Sequence, residues 1–466
     1  MGRQAVHWLT VMVILASASA ALLSAGAVSA MATPGFSVHC NTVVRSENLA
    51  DDAVQLALNH ASSGQTVCVG PGVFPEQVTI SKPVRLVGAG ATQTILEPTS
   101  VTFNTVDWDS ANGGSSSVAC GSDLCVPLAA IVLIENTTGG PTTGVTVANL
   151  EVNGSAGSSS IACGDDYVGV DFQDSAGTLK GAIVSDVASP ISSFGCQEVS
   201  GAVYAYNGYF FTGLTPSPSI AVTVAHTTVT GYQKNGITCD DPGETCTLRA
   251  DTVVGIGPTT LTGQNGIQIA YGAVGQMTSD LVANNAYTGS NSGLDWYGTG
   301  YQATGILLYQ AGAGTSVLRS TLRSDAIGIA GVGDVSDTIQ GNTITNSVAY
   351  GIAENGVPGT TASIVNNAIH NTVYHAIGIL VDNGTFRLAH NSIFWVSTTG
   401  SQGASQPVTG PGTYYPTSPV ASVSTAAIQA VSEGGPTVVT IVGTSYYHVS
   451  AKTATLGVFG GLVTIS

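Results

Sequence analysis

The sequence predicts an all-β chain wound as a parallel β-helix, a solenoid with a short N-terminal capping helix. Three observations carry that prediction. The dipeptide Gly-Ile recurs at 236–237, 266–267, 305–306, 328–329, 351–352 and 378–379, its last three copies 23 and 27 residues apart. Two further apolar marks keep step with it. Val317, Ile339, Ile364 and Leu388 form one, and Leu322, Ile344, Ile369 and Ile393 the other, both with gaps of 22, 25 and 24 residues. Three marks per repeat imply three short strands per coil, and a coil that cannot bury its own apolar face must stack on its neighbours.

Composition agrees. The 466 residues include 59 Gly and only 8% charged residues, which suits many short strands and tight turns. A leucine-rich repeat would need L-x-x-L-x-L spacing and a propeller longer blades; neither fits.

Taken from the start, Arg3 precedes a long apolar run that ends in small residues, and Ala30-Met31-Ala32 fits a signal-peptidase site. Residues 1–32 are therefore expected to be a signal peptide, with an uncleaved membrane anchor as the alternative. Either way the body, from residue 33, is expected to be exported: secreted, extracellular or at a cell surface. Residues 49–61 read as the capping helix, with Leu49, Val54, Leu56, Ala57 and Leu58 on one apolar face.

The coils are expected to run to residue 397. Asn342, Asn367 and Asn391, each two residues before the second apolar mark, are expected to stack and bond through their side-chain amides. Glycine in the turns is expected where φ is positive. A Ser/Thr/Gly/Pro-rich linker follows over 398–422, and 423–466 reads as a C-terminal β cap or attachment segment. Eight cysteines fall into close pairs in sequence: Cys40 with Cys68, Cys120 with Cys125, Cys163 with Cys196, and Cys239 with Cys246. They are read as disulfides of an oxidising compartment. No C-x-x-C supports zinc.

With these residues in view, the chain resembles the right-handed parallel β-helix superfamily that includes the pectin and pectate lyases. The stretch GQTVCVGPGVFPEQVTISKPVRLVGAG is similar to that family's opening coils, with Gly72, Phe74 and Glu76 as a G-x-F-x-E motif. The resemblance covers about 44–397 and implies the fold, its right hand and a helix plugging the open N-terminal end. It implies less about activity, since the scaffold hosts many chemistries. The carboxylate and Arg-Pro-Trp motifs of pectin methylesterases are absent, VDFQDS at 170–175 being a partial echo. Gly164-Asp165-Asp166 matches the Gly-Asp-Asp of polygalacturonases, but their G-H-G and R-I-K elements are missing. The pectate-lyase W-x-D-H and R-x-P-x-x-R are missing too.

Four constellations could carry chemistry. Asp240, Asp241 and Glu244, inside the loop between Cys239 and Cys246, could offer hard oxygens to calcium, or form an acidic solvated turn. Asp165, Asp166, Asp171 and Asp174 could supply an acid and a base to a glycosidic bond, or cap turns. Arg319, Arg323, His370 and His390 fall on outward rows beside Tyr374 and His375. Such rows could neutralise a uronate and abstract its proton, or simply face solvent. Aromatic and polar groups at Tyr309, Trp296, Tyr297, Tyr301, Asp295 and Asp382, with Tyr204, Tyr206, Tyr209 and Phe210 read as a loop, could stack on sugars or cover the helix.

With 11 Lys and Arg and a formal charge of −17, a nucleic-acid footprint and adhesion to anionic membranes are not expected. The expected partner is a polysaccharide or surface glycan, bound and cleaved along an outer groove by a monomer acting as a lyase or a glycoside hydrolase. Calcium is the one cofactor the residues suggest. The other reading is a non-catalytic cell-surface or adhesion protein in which the β-helix is a spacer.

Overall fold

A computed structural model describes residues 36, 38–46, 52–108, 125–135, 141–162, 165–191, 194, 201–208, 219–288, 303–333, 336–372, 377–396, 406–407, 412–414, 426–432, 435–447, 454–460 and 463–465. The chain divides into Met1–Gly35 and Phe36–Ser466, and the description below concerns the second unit. The expected signal peptide and the candidate residues Trp296 and Tyr297 lie outside the described residues. No described helix is long and apolar enough to cross a membrane.

The strands form three long sheets of 15, 12 and 14 strands, called A, B and C here. Successive strands visit A, B and C in turn, so each neighbour within a sheet comes from the next coil. This is the predicted right-handed parallel β-helix; parallel crossovers take the right hand almost without exception. The three repeating marks are the inward residues of the three sheets. On sheet C, Ile237, Ile267, Ile306, Ile329, Ile352 and Ile379 lie in one continuous register. Val317, Ile339, Ile364 and Leu388 do the same on sheet A, and Leu322, Ile344, Ile369 and Ile393 on sheet B. All are buried in one core, each adding roughly 1.5–3 kcal/mol of hydrophobic stabilisation.

The glycine before each isoleucine has a different cause from the one expected. None of Gly236, Gly266, Gly305, Gly328, Gly351 or Gly378 has positive φ. A Cβ on Gly351 would stand 2.6 Å from the carbonyl oxygen of Gly378 and 2.6 Å from Ile369 Cγ2, and the others are equally tight. These glycines let the next coil approach. Positive φ falls instead in the turns: at Asp174 and Asp241 from C to A, at Asp186, Asn284 and Asn346 from B to C, and at Ser279, Arg319, Gly341, Asn366 and His390 from A to B.

Beside that turn runs the polar ladder. The amide nitrogen Nδ2 of Asn342 donates to Oδ1 of Asn367 at 3.0 Å, and that of Asn367 to Oδ1 of Asn391 at 3.0 Å. The ladder reaches further back than the asparagines. Ser320 N–H donates to Asn342 Oδ1, Asp280 N–H to Ser320 Oγ, Asp251 N–H to Asp280 Oδ1 and Thr227 N–H to Asp251 Oδ1, all within 2.8–3.1 Å.

The N-terminal cap is an eight-residue helix, Ala53–His60, packed through Val54, Ala57 and Leu58. Leu56, expected on that face, is 47% exposed, because it is two residues out of phase with Val54 and Leu58 on a 3.6-residue turn. The two carboxylate oxygens of Glu76 accept the N–H groups of Val54 and Gln55, each at 2.9 Å. The glutamate of the G-x-F-x-E stretch therefore satisfies the helix start.

At the other end the register resumes after residue 397. Ala426–Ser432, Thr437–Val442 and Ser445–Tyr447 add a full coil to sheets C, A and B, and Ala454–Gly460 and Val463–Ile465 begin another. Gln406–Pro407 and Gly412–Tyr414, from the expected linker, run antiparallel along those last two strands and cover their open edges.

Two of the four expected disulfides are formed among the described residues, Cys40–Cys68 and Cys239–Cys246. The other two expected pairings, Cys120 with Cys125 and Cys163 with Cys196, are not among the disulfides of the described residues. The backbone of Cys125 is described: it opens the strand Cys125–Glu135, in antiparallel register with Trp108. The side chain of Cys125, and the whole of Cys120, Cys163 and Cys196, lie outside the described residues.

Candidate active site

Among the described residues, outward positions of sheet C and its turn to sheet A hold a group of buried acids, and the register explains how they are placed. Strands Asp166–Gln173, Gly201–Tyr206 and Asn235–Asp240 are consecutive coils. Alternation points every second side chain outward. One outward row contains Leu133, Asp171, Tyr204, Thr238 and Gln268. The next contains Glu135, Gln173, Tyr206, Asp240, Ala270 and Tyr309. One residue further, in the turn to sheet A, stand Asp174, Asn207 and Asp241, with Glu244 opening the following strand.

Asp174 and Asp241 both take positive φ, 50° and 78°. Aspartate tolerates that conformation, so the turn can carry carboxylates where glycine would otherwise serve. Pro242 carbonyl accepts the side-chain amide of Asn207 at 3.0 Å, tying the second coil to the third. The Cys239–Cys246 disulfide brackets the acidic turn, its Cα atoms 6.2 Å apart.

The carboxyls push one another's proton affinity up. Asp171 is fully buried, its two oxygens make no hydrogen bond among the described residues, and burial with Asp174 and Glu135 nearby raises it well above the usual range. Burial lifts Asp240 to about 7, offset in part by the Asp241 N–H that its Oδ1 accepts at 3.1 Å. Burial, then the charges of Asp240 and Asp174, lift Asp241 to about 8. Glu244 is raised by burial, then by Asp174 and Asp241. Asp240 and Asp241 titrate as a pair, so near neutrality one member can be acid while the other is base.

Aromatic side chains lie in the same rows, Tyr204 and Tyr206 buried with Leu128, Ala130, Leu133 and Val168. Tyr204 and Tyr206 stack at 5.0 Å between ring centroids, and Gln173 Nε2 donates to Tyr206 Oη at 2.5 Å. Both tyrosines belong to the strand Gly201–Tyr206 rather than to the loop expected from sequence. One and two coils beyond the acids, Tyr271 and Tyr309 meet edge-on at 5.3 Å.

The remaining expected residues scatter. Asp166 is buried at the start of its strand, while Asp165 caps a turn, its Oδ2 accepting the Ala162 N–H at 3.1 Å. Asp382 shares the row of Asp240 and Tyr309 but lies five coils from Asp240, ~24 Å at the sheet spacing. Arg319 is an A-to-B turn residue, and Arg323 stands on sheet B. His370 shares the row of Arg323, stacked on Phe394 at 4.3 Å, with Tyr447 beyond it at 4.6 Å. The structure thus joins Asp171 to the Asp240–Asp241–Glu244 turn and leaves the basic residues on other sheets.

For calcium, the fit rests on oxygen. Glu244 lies near the sulfurs of Cys239 and Cys246, but those form a disulfide and offer no thiolate. Asp240, Asp241 and Glu244 are hard-oxygen donors of the kind calcium takes, but among the described residues the ligand atoms that come within 4.8 Å of one another are those of Cys239, Glu244 and Cys246, so the three carboxylates do not close on one point as they stand.

No protein-family model and no curated protein matches the sequence. Solved structures share the fold. A lacto-N-biosidase of glycoside hydrolase family 136 from Eubacterium ramulus superposes with a TM-score of 0.51 at 14% identity, covering 76% of this chain and 64% of that one. The Agl-KA catalytic domain gives 0.50 at 14% identity, covering 92% and 69%. The catalytic unit of a family-87 α-1,3-glucanase from Streptomyces thermodiastaticus gives 0.48 at 14% identity, covering 89% and 65%. The chain spans less than two thirds of the length of the first and third. At these identities the likeness establishes the parallel β-helix.

Proposed function

We propose that this chain is an exported, carbohydrate-active β-helix protein that hydrolyses a glycan on the outer face of sheet C. The observation that carries the proposal is the grouping of Asp171, Asp174, Asp240, Asp241 and Glu244 from two coils either side of the strand Gly201–Tyr206, with the proton affinities of Asp171, Asp240, Asp241 and Glu244 raised. Glycoside hydrolysis needs one protonated and one ionised carboxyl across the scissile bond. A protonated member, Asp171 or one of the Asp240–Asp241 pair, gives its proton to the leaving glycosidic oxygen. An ionised member takes a proton from water as the water oxygen bonds to the anomeric carbon, or attacks that carbon itself. The half-buried rings of Tyr271 and Tyr309, one and two coils beyond, offer apolar surface to sugar C–H groups.

A lyase reading has less support, because Arg319, Arg323 and His370 sit away from the acids. A spacer would scatter its titratable groups, whereas these converge. Calcium at Asp240, Asp241 and Glu244 would require these carboxylates to draw together, which the chelator arm of the experiment tests.

The test is a turnover screen of the mature chain on neutral and uronate-containing polysaccharides, with calcium and with chelator. New reducing ends without ultraviolet absorbance support the hydrolase. Absorbance from unsaturated products would replace it with a lyase. Silence from a folded, strand-rich protein would favour the spacer.

A further inference from the structure

The placement of positive charge on this solenoid is one-sided. Nine of the 11 Lys and Arg fall among the described residues: Arg45, Lys82, Arg85, Lys180, Lys234, Arg249, Arg319, Arg323 and Arg387; the other two are Arg3 and Lys452. None belongs to a strand of sheet C. Lys82 alone lies in a turn from C to A, between Val78–Ile80 and Arg85–Gly88, two coils before Asp174, and its Nζ is turned to the cap helix, donating to the Asn59 carbonyl at 2.8 Å. Arg85, Lys180, Arg249 and Arg387 are on sheet A, Arg323 is on sheet B, and Arg319 is in the turn between them.

The cations nearest the acids in sequence are at the far ends of their strands. Lys234 precedes Asn235–Asp240 at the end opposite Asp240, six residues or ~20 Å of extended chain away. Lys180 ends the strand that follows Asp174, and Arg249 ends the one that Glu244 begins, at five to six residues or roughly 17–20 Å. Those separations exceed the screening length of ~8 Å at physiological salt. No cation is among the influences on Asp171, Asp240, Asp241 or Glu244, whereas Arg249 does act on Asp251 in the ladder.

We infer that the glycan taken by this face is uncharged, and that sheet C rejects uronate and sulfated chains. A carboxylate or sulfate laid along these rows would meet Asp171, Asp174, Asp240, Asp241 and Glu244, and among the described residues no guanidinium or ammonium stands on the sheet C strands of these coils or in their turns to sheet A to pair it. Recognition of planar anions relies on such groups. The half-buried rings of Tyr271 and Tyr309 and the carboxyl groups can instead receive C–H faces and hydroxyls. Proton abstraction next to a uronate carboxylate, which needs that carboxylate neutralised, is excluded with it. This inference rests on the proposed site for its place on the molecule, but concerns binding rather than bond cleavage.

A matched pair of ligands tests it. A neutral glucan panel is immobilised in native gels beside the same glucans oxidised at C6 to uronates, and beside polygalacturonate. Retardation and reducing-end release are both read. The expected result is retardation by at least one neutral glucan and a tenfold or greater loss on its oxidised form, with none by polygalacturonate. Retardation by an oxidised form or by polygalacturonate within tenfold of the best neutral glucan overturns the inference, as does a panel that retards nothing. Retardation by a neutral glucan without release of reducing ends would sink the hydrolase reading and leave this inference standing.

Discussion

Asn367 accepts from Asn342 and donates to Asn391, each amide bond 3.0 Å long, while its Nδ2 also reaches the carbonyl of Ile339 at 2.9 Å. One side chain therefore links three coils, its own and the one on either side. Replacing Asn367 by Ala leaves the N–H of Asn342 and the carbonyl of Ile339 without these partners in a dry interior. The expected loss is about 3 kcal/mol, two or three buried hydrogen bonds at roughly 1 kcal/mol or more each. Urea unfolding of Asn367→Ala measures it, and Asn366→Ala, one residue away in the turn, is the control for local backbone effects.

The same ladder holds two acids where asparagine would serve. Asp251 and Asp280 accept backbone N–H groups as the asparagines do, but an ionised carboxylate has no N–H to give back. Burial raises Asp251 to about 7 and Asp280 to about 6. Both folded values exceed the unfolded one near 4, so the folded chain holds protons that the unfolded chain has released. Stability should therefore be greatest below about pH 4 from these groups and fall as pH rises to about 7. Asp280→Asn should be near neutral at pH 4 and stabilising at pH 8, by on the order of 2 kcal/mol. Urea midpoints of the variant and wild type at the two pH values decide it; a gain that is equal at both would contradict the account.

The two kinds of glycine should behave differently. Gly351→Ala forces a Cβ against Gly378 O and Ile369 Cγ2, both at 2.6 Å, and should cost about 3 kcal/mol. Gly359 has φ of 99° with nothing within 4 Å, so Gly359→Ala should cost only roughly 1–2 kcal/mol of backbone strain. Thermal or urea unfolding of the pair checks the order.

The Asp240–Asp241 pair sets an alkaline limit. Their protonated form should be lost as pH rises through about 7 to 8, so turnover should decline over that window. Asp241→Asn should move the limb down towards about 7, since the member raised to about 8, by burial and then by the charge of Asp240, is gone and Asp240 alone remains. Calcium on this turn would instead favour the ionised pair, and the limb would then differ between calcium and chelator. Initial rates from pH 4 to 9 under both conditions separate the cases.

Much of the scaffold was legible because the C-terminal coils repeat with little variation. The Ile and Val marks and the three asparagines fall 22–25 residues apart, and the structure places each on its own inward row. The ladder's earlier rungs were not legible, because Asp251, Asp280 and Ser320 are separated by 29 and 40 residues and differ in type. A search for any hydrogen-bonding residue two places before an apolar mark would have found them. The site was half visible. Asp171 and the Asp240–Asp241 turn were both picked out, but the coil 201–206 between them looked like an aromatic loop, hiding their adjacency. The basic residues looked clustered because they are close in sequence, yet a β-helix sends sequence neighbours to different faces.

The most direct test of the central claim is reducing-end release from the best neutral glycan by wild type, Asp171→Asn, Asp240→Asn and Asp241→Asn, with urea midpoints taken in parallel. The account predicts that at least Asp171→Asn and one of the other two lose about 10²–10⁴-fold in turnover. Their midpoints should be unchanged or higher at pH 7, because a buried, mutually repelling carboxyl has been neutralised. Full activity in all three variants would contradict it.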